Sequence, residues 1–266
     1  MKEFFGFGGY SRPAEGYFSW QHLLFVSTLM VIMVVLAIVL GLKNKKKDDK
    51  TKNKVLVWAA ILIDGFELLK IILICARSSS IEPLTRMLPL FLCSIQLITI
   101  PLAAFAKGRL KETALDFVFI FGLAGAILGT YGAGQNYNAY PVISLDNVVS
   151  GITHAISGFA SLYIGISKMI SMRLKNMWIS FVILGGFCTL ALIANYIIPY
   201  NYMFLNSHDG TPYQIVYNLV GGIQVLYTIM VILLFVVWIA AYYFVFYLLR
   251  KRKNKKTPLL QNTIKE

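Results

Sequence analysis

Apolar residues fall into seven runs separated by short polar stretches: Trp20 to Leu42, Val55 to Ala76, Leu88 to Ala106, Thr113 to Ala133, Val148 to Ile170, Met177 to Pro199, and about Val216 to Leu249. Each is long enough to cross the ~30 Å hydrocarbon core as a helix rising ~1.5 Å per residue. The first run lacks a basic lead and a small-residue cleavage site, so it reads as a retained helix and not a signal peptide. The pattern therefore predicts an all-α polytopic membrane protein with seven transmembrane helices. Residues 1–19 form an N-terminal extracellular segment, 20–249 the transmembrane domain, and 250–266 a basic cytoplasmic tail.

Charge orients these runs. Seven Lys occupy the 43–54 connection and seven Lys and Arg follow Leu249; Lys107, Arg109 and Lys111, then Lys168, Arg173 and Lys175, mark two further connections. The opposite side holds Lys2, Arg12, Arg77 and Arg86. By the positive-inside rule the N-terminus is outside and the C-terminus cytoplasmic. The outer loops at 134–147 and 200–213 carry no basic residue and are rich in Tyr, Phe and Asn, which suits an interfacial aromatic belt.

Composition removes other classes. With 58% hydrophobic and 14% charged residues and a mean hydropathy of +0.68, the chain is too apolar for a soluble domain. The net charge of +13 sits between and after the apolar runs, which points to membrane lipids and topology and not to nucleic acid. Cys75, Cys93 and Cys188 form no CxxC pair, so neither a disulfide framework nor a metal site is expected, and no cofactor motif occurs. The absence of an internal repeat gives no support to an inverted-repeat transporter. Gly122, Gly125 and Gly129 read as a close-packing face. A Lys-rich composition suits an A/T-rich bacterium, hence a multi-pass protein of a bacterial plasma membrane.

Several intramembrane residues cost too much to be filler. Asp64, Glu67 and Lys70 are spaced to share a helix face, where they must offset one another, either as a structural Glu67–Lys70 pair or as a polar cavity. His154 is the only intramembrane histidine; His22 and His208 fall at the outer interface or in an outer loop, where solvation explains them. Counting ~1.5 Å per residue from the outer edge puts Cys93 ~7–8 Å deep, His154 and Lys70 ~9 Å, Glu67 ~13 Å and Asn195 ~5 Å. Gln96 adds an amide one turn below Cys93, and Pro89 and Pro101 let that helix bend. The convergence lies in the outer half of the membrane.

A buried thiol needs a base to become a nucleophile, and His154 is the imidazole at the right depth. A Cys–His pair facing acyl chains points to acyl transfer through a thioester; amides such as Gln96 or Asn195, or free backbone N–H groups, would hold the oxyanion. Water at the thioester would give a lipase instead.

At Leu88-Pro89-Leu90-Phe91-Leu92-Cys93-Ser94-Ile95 the chain resembles the bacterial YwaF family of integral membrane proteins. The resemblance extends to Phe18-Ser19-Trp20-Gln21-His22, to His154, and to Asn201-Tyr202-Met203-Phe204-Leu205. It departs at Phe91, where the family carries a polar residue, often histidine. That family is similar to eukaryotic transmembrane acyltransferases that use a membrane cysteine and histidine on phospholipid chains. The resemblance implies catalytic roles for Cys93 and His154. The polar residues Glu67, Lys70, Gln96, Asn195, Asn201 and Tyr202 are expected to bind substrate or support that pair. The expected activity moves a fatty acyl chain from a phospholipid to a lysophospholipid or a lipoprotein amine; sequence leaves any partner protein unknown. The alternative is a small-solute or ion transporter using the Asp64/Glu67/Lys70 face. A retinal photoreceptor is disfavoured because the last run lacks a Schiff-base lysine.

Overall fold

A computed structural model describes the backbone of residues 2–263 and the side chains of 3–252. The side chains of the basic tail from 253 onward lie outside the described residues. Among the described residues all regular structure is helical. The chain forms two compact units, Met1–Ile170 and Ser171–Glu266.

The first unit contains α1 (Trp20–Asn44), α2 (Asp49–Ser78), α3 (Gln96–Phe105), α4 (Gly108–Tyr131) and α5 (Leu145–Ile166). Polar side chains set the helix starts. Ser19 accepts from the His22 N–H, Asp48 from the Thr51 N–H and Ser144 from the Asn147 N–H, each satisfying a donor that the helix leaves unpaired. The Thr51 hydrogen bonds also hold the solvent-exposed Asp48 carboxyl below its ordinary pKa. Helix α5 is central: α1, α2 and α4 all pack on it. Close approach uses small residues. A Cβ on Gly158 would lie 2.3 Å from the Met33 sulfur, and one on Gly122 would lie 2.7 Å from the Ser157 carbonyl. Ser161 donates across to the Phe119 carbonyl at 2.8 Å, so α4 and α5 are joined by hydrogen bonds as well as packing. Leu56, Ile63, Ile100, Val118 and Tyr163 fill the core between α2, α3, α4 and α5.

The second unit contains α6 (Leu174–Ile197) and α7 (Gln224–Thr263), with a short helix at Gln214–Leu219. The Ser180 and Tyr243 hydroxyls meet at 3.0 Å where α6 packs on α7.

Five helical stretches among the described residues are long and apolar enough to cross a membrane: Trp20–Asn44, Gly108–Ala139, Leu145–Ile166, Leu174–Ile197 and Gln224–Arg252. The other two expected spans differ in instructive ways. Helix α2 has 30 residues but carries Asp64, Glu67 and Lys70 along its length, which lowers its hydropathy. The run Leu88 to Ala106 is not one helix. Only Gln96–Phe105 is α-helical, 10 residues or ~15 Å, half of the hydrocarbon core. The preceding stretch from Leu88 to Ile95 is a series of turns. Pro89 disfavours helical backbone at Leu88. The Ser94 hydroxyl also takes over the Phe91 N–H at 2.9 Å, closing a tight turn in place of a helical one. The depth count for Cys93, which assumed a helix from Leu88, therefore does not apply. The last run also begins later than expected: Gly221 and Gly222 adopt φ of +63° and +75°, which break the helix before Gln224.

Candidate functional site

Cys93 sits in the turn that leads into α3, and His154 projects from the central helix α5. Their side chains are hydrogen-bonded to each other, and neither is fully buried, so the pair keeps an open side. The other ring nitrogen of His154 fixes the chemistry. Nδ1 lies 2.7 Å from the Ser150 carbonyl, which can only accept, so Nδ1 carries the proton in the neutral ring. Nε2 is then left with its lone pair, and the nitrogen that meets the thiol is the basic one. The backbone N–H groups of Cys93 and Ser94 also point at the Cys93 sulfur. A thiol, an imidazole in the right tautomer and two backbone donors at one atom are the parts of an activated nucleophile.

Helix α4 forms the wall. An added Cβ on Gly125 would touch Cys93 Cα and Cβ at 3.4 Å, and one on Gly129 would overlap His154 Cδ2 and Nε2 at 2.0 Å. The glycine series is thus a packing face, as its spacing suggests: Gly122 packs on Ser157 and Ser161, and Gly125 and Gly129 pack on the thiol–imidazole pair.

Glu67 and Lys70 form an ion pair with Nζ 2.7 Å from Oε1 and 2.8 Å from Oε2, and Lys70 is near enough for its charge to act on His154. Asp64 does not join them. Its side chain is exposed and lines an open groove against α3, apart from the ion pair. One continuous charged face on α2 is therefore not formed. Gln96 is fully buried at the start of α3. Its Oε1 accepts from Thr99 at 3.0 Å, while its Nε2 has no partner among the described residues.

Asn195, Asn201 and Tyr202 belong to the second unit and serve its loop. Asn195 clasps the Tyr202 backbone from both sides, donating to its carbonyl at 3.0 Å and accepting from its N–H at 2.6 Å. Asn201 donates to the Ser207 carbonyl and to Asp209, both at 2.7 Å. These amides are occupied by holding positive-φ backbone at Met203 and Phe204. Cys188 is buried in the same unit, with its sulfur 3.8 Å from that of Met203.

Sequence reasoning misplaced two features. His22 is not solvated; it is fully buried, accepting from the Phe18 N–H at Nδ1 and facing the Thr130 carbonyl through Nε2 at 3.1 Å. Another ion pair joins the end of α2 to the start of α5. Arg77 at the end of α2 grips Asp146 in the first turn of α5 with two bonds of 2.8 and 3.0 Å. Tyr10 donates to the same carboxylate at 2.6 Å, tying the N-terminal segment to both helices. Burial, and then the hydrogen bond to Asp146, push the Tyr10 hydroxyl up to about 12, so it stays a donor at neutral pH. The only sequence signal for this clamp was an Arg and an Asp at two helix ends on the same side.

Comparison with known proteins gives one result. No curated protein and no solved structure matches the chain. A family profile matches residues 17–242, a span that takes in the lead-in to α1, the Cys93 turn, His154 and the Asn201–Leu205 loop. On that coverage the chain belongs to the TMEM164 family, a family of transmembrane proteins.

Proposed function

We propose that this chain is a membrane-embedded acyltransferase that carries a fatty acyl group on Cys93. The observation that supports this most directly is the hydrogen bond from Cys93 to an imidazole whose Nδ1 is committed to the Ser150 carbonyl. In the first half-reaction Nε2 of His154 takes the thiol proton, and the sulfur attacks the carbonyl carbon of a phospholipid ester. The ester C–O bond breaks, His154 returns the proton to the departing alkoxide, and a lysophospholipid leaves. In the second, an acceptor hydroxyl or amine loses its proton to His154 and attacks the thioester. Its C–S bond breaks and the thiol is restored. The acceptor would be a lysophospholipid or a lipoprotein amine.

The oxyanion of each tetrahedral intermediate needs donors. The backbone N–H groups of Cys93 and Ser94 and the unpartnered Nε2 of Gln96 supply that chemistry within one turn of the sulfur. The Glu67–Lys70 pair beside His154 is net neutral, so it adds polarity to the site without an uncompensated charge. The seven-span arrangement, with N-terminus outside and the site in the outer half of a bacterial plasma membrane, is the topology that the charge distribution favours.

The test is direct. Purified protein mixed with phospholipid should gain the mass of one acyl chain, lost on treatment with neutral hydroxylamine. Cys93→Ala should show no adduct, and His154→Ala should form it about 10²–10⁴-fold more slowly. Acyl transfer that persists in Cys93→Ala would overturn the mechanism.

A further inference from the structure

His22 is a buried imidazole that the bond-making steps leave unused. Its ring stacks on Tyr137 with centroids 3.9 Å apart, and Tyr17 lies at 5.6 Å. Nδ1 accepts from the Phe18 N–H at 3.1 Å, so the proton sits on Nε2 and is donated to the Thr130 carbonyl at 3.1 Å. This is the opposite tautomer to that of His154, and both of its nitrogens are occupied. What His22 holds is informative. Thr130 follows Gly129, whose backbone lies directly against Nε2 and Cδ2 of His154. The next carbonyl, that of Tyr131, accepts from the Tyr17 hydroxyl at 2.7 Å. Between these two donors Phe18 adopts left-handed backbone with φ of +58°, a bend that lets both side chains reach consecutive carbonyls. A helix leaves its last carbonyls without internal partners, and glycine is a poor helix former. The last two turns of α4 contain Gly125 and Gly129 and end on Gly132. The wall against the thiol–imidazole pair is therefore the part of α4 least able to hold its own shape.

We propose that His22, with Tyr17 beside it, is a positioning residue: by holding the Thr130 and Tyr131 carbonyls it fixes Gly129 against the imidazole and so keeps Nε2 of His154 on the Cys93 thiol. The role rests on that pair being the working site, as in the acyltransferase reading above, yet it can be read on the thiol itself without a substrate.

The experiment treats the full chain in detergent with iodoacetamide and times alkylation of Cys93 by peptide mass, with the free thiol of Cys75 as internal reference. His22→Gln keeps an N–H donor where Nε2 stood and should leave the Cys93 rate near that of the parent. His22→Asn keeps an acceptor for the Phe18 N–H but falls short of Thr130. It should slow Cys93 by about tenfold or more, a share of the ~10²–10⁴ that a positioned base supplies, with Cys75 unchanged. In a Gly129→Ala background, where the imidazole is already displaced, His22→Asn should add little, because both changes act through one contact. A parent rate in His22→Asn, equal losses in the Gln and Asn variants, or losses that multiply in the double variant overturn the proposal. Thermal unfolding reports whether each variant folds. If His22→Asn does not, Tyr17→Phe decides in its place: it removes one hydroxyl and should slow Cys93 by a smaller factor, and a parent rate overturns the proposal. The parent protein is also incubated with phosphatidylcholine vesicles. No acyl adduct on Cys93, with the alkylation pattern as expected, supports the positioning role and overturns the acyltransferase reading alone.

Discussion

Replacing Gly129 by alanine separates the chemistry of the site from the stability of the fold. The new methyl would lie 2.0 Å from His154 Cδ2 and Nε2, and ordinary contact begins at 3.4 Å, so the imidazole must retreat by about 1.4 Å. It cannot do so and keep Nδ1 at 2.7 Å from the Ser150 carbonyl. One hydrogen bond of about 0.5–1.5 kcal/mol is lost. The ring can swing toward the open side of the site, so the helices need not separate, and the full overpacking penalty of about 1–3 kcal/mol is an upper bound. The expected stability loss is about 1 kcal/mol, a few degrees in unfolding temperature. The expected loss in rate is that of a misplaced general base, about 10²–10⁴-fold. Gly125→Ala is the matched control: its methyl meets Cys93 at 3.4 Å, which is ordinary contact, and both rate and stability should stay near those of the parent. The assay pairs thermal unfolding in detergent with the rate of Cys93 acylation. A second readout is alkylation of Cys93 relative to Cys75 and Cys188, the other free thiols. Gly129→Ala protein that acylates at the parent rate, or equal losses in both alanine variants, would refute the reasoning.

Four further outcomes are expected. Glu67→Ala and Lys70→Ala should each lower thermal stability, while the double change costs less than their sum, because each single change strands one partner of a pair with side chains only 13% and 15% exposed; additive losses would refute the pairing. Arg77→Lys keeps the charge but loses the two-pronged grip on Asp146, and should cost about 1–2 kcal/mol by thermal unfolding. Because Tyr10 holds its proton up to about 12 against 10 when unfolded, its contribution to the clamp is complete below pH 10 and is lost between pH 10 and about 12; protease access to the N-terminal segment reports the release, and Tyr10→Phe should abolish that pH step. Single cysteines at Asn138 and Lys255, labelled on intact cells by an impermeant reagent, should react at Asn138 alone; tail labelling without loop labelling would reverse the topology.

The helices of the long apolar runs were legible because hydropathy and length are local properties, and α1 and α5 begin within a few residues of the expected positions. The break in the third run was harder to see. Leu88 to Ile95 is as apolar as a span, and what turns it is Pro89 together with a serine that captures its neighbour's N–H. The pairing of Cys93 with His154 was anticipated from depth, yet the depth of Cys93 was reckoned on a helix that is not there. The residue types were informative even though the ruler was not. Hydrophobicity alone sets no rotational register, so the sequence could not separate Asp64 from Glu67 and Lys70, or show that the 200–213 loop consumes Asn195 and Asn201 in its own folding.

The Ser150 carbonyl gives the site an unusual economy of parts. Histidine bases are commonly oriented by a carboxylate on a separate segment, a third residue whose loss can be detected by substitution. Here the orienting atom belongs to the main chain of the same helix, one turn before the ring. No side chain at position 150 is needed, so Ser150→Ala should leave the imidazole where it is. Alanine scanning of this protein would then report two essential positions and miss the third contributor. The vulnerable element is the helical repeat itself: an inserted or deleted residue between 150 and 154 would turn the ring away from Cys93 while leaving the span apolar and intact.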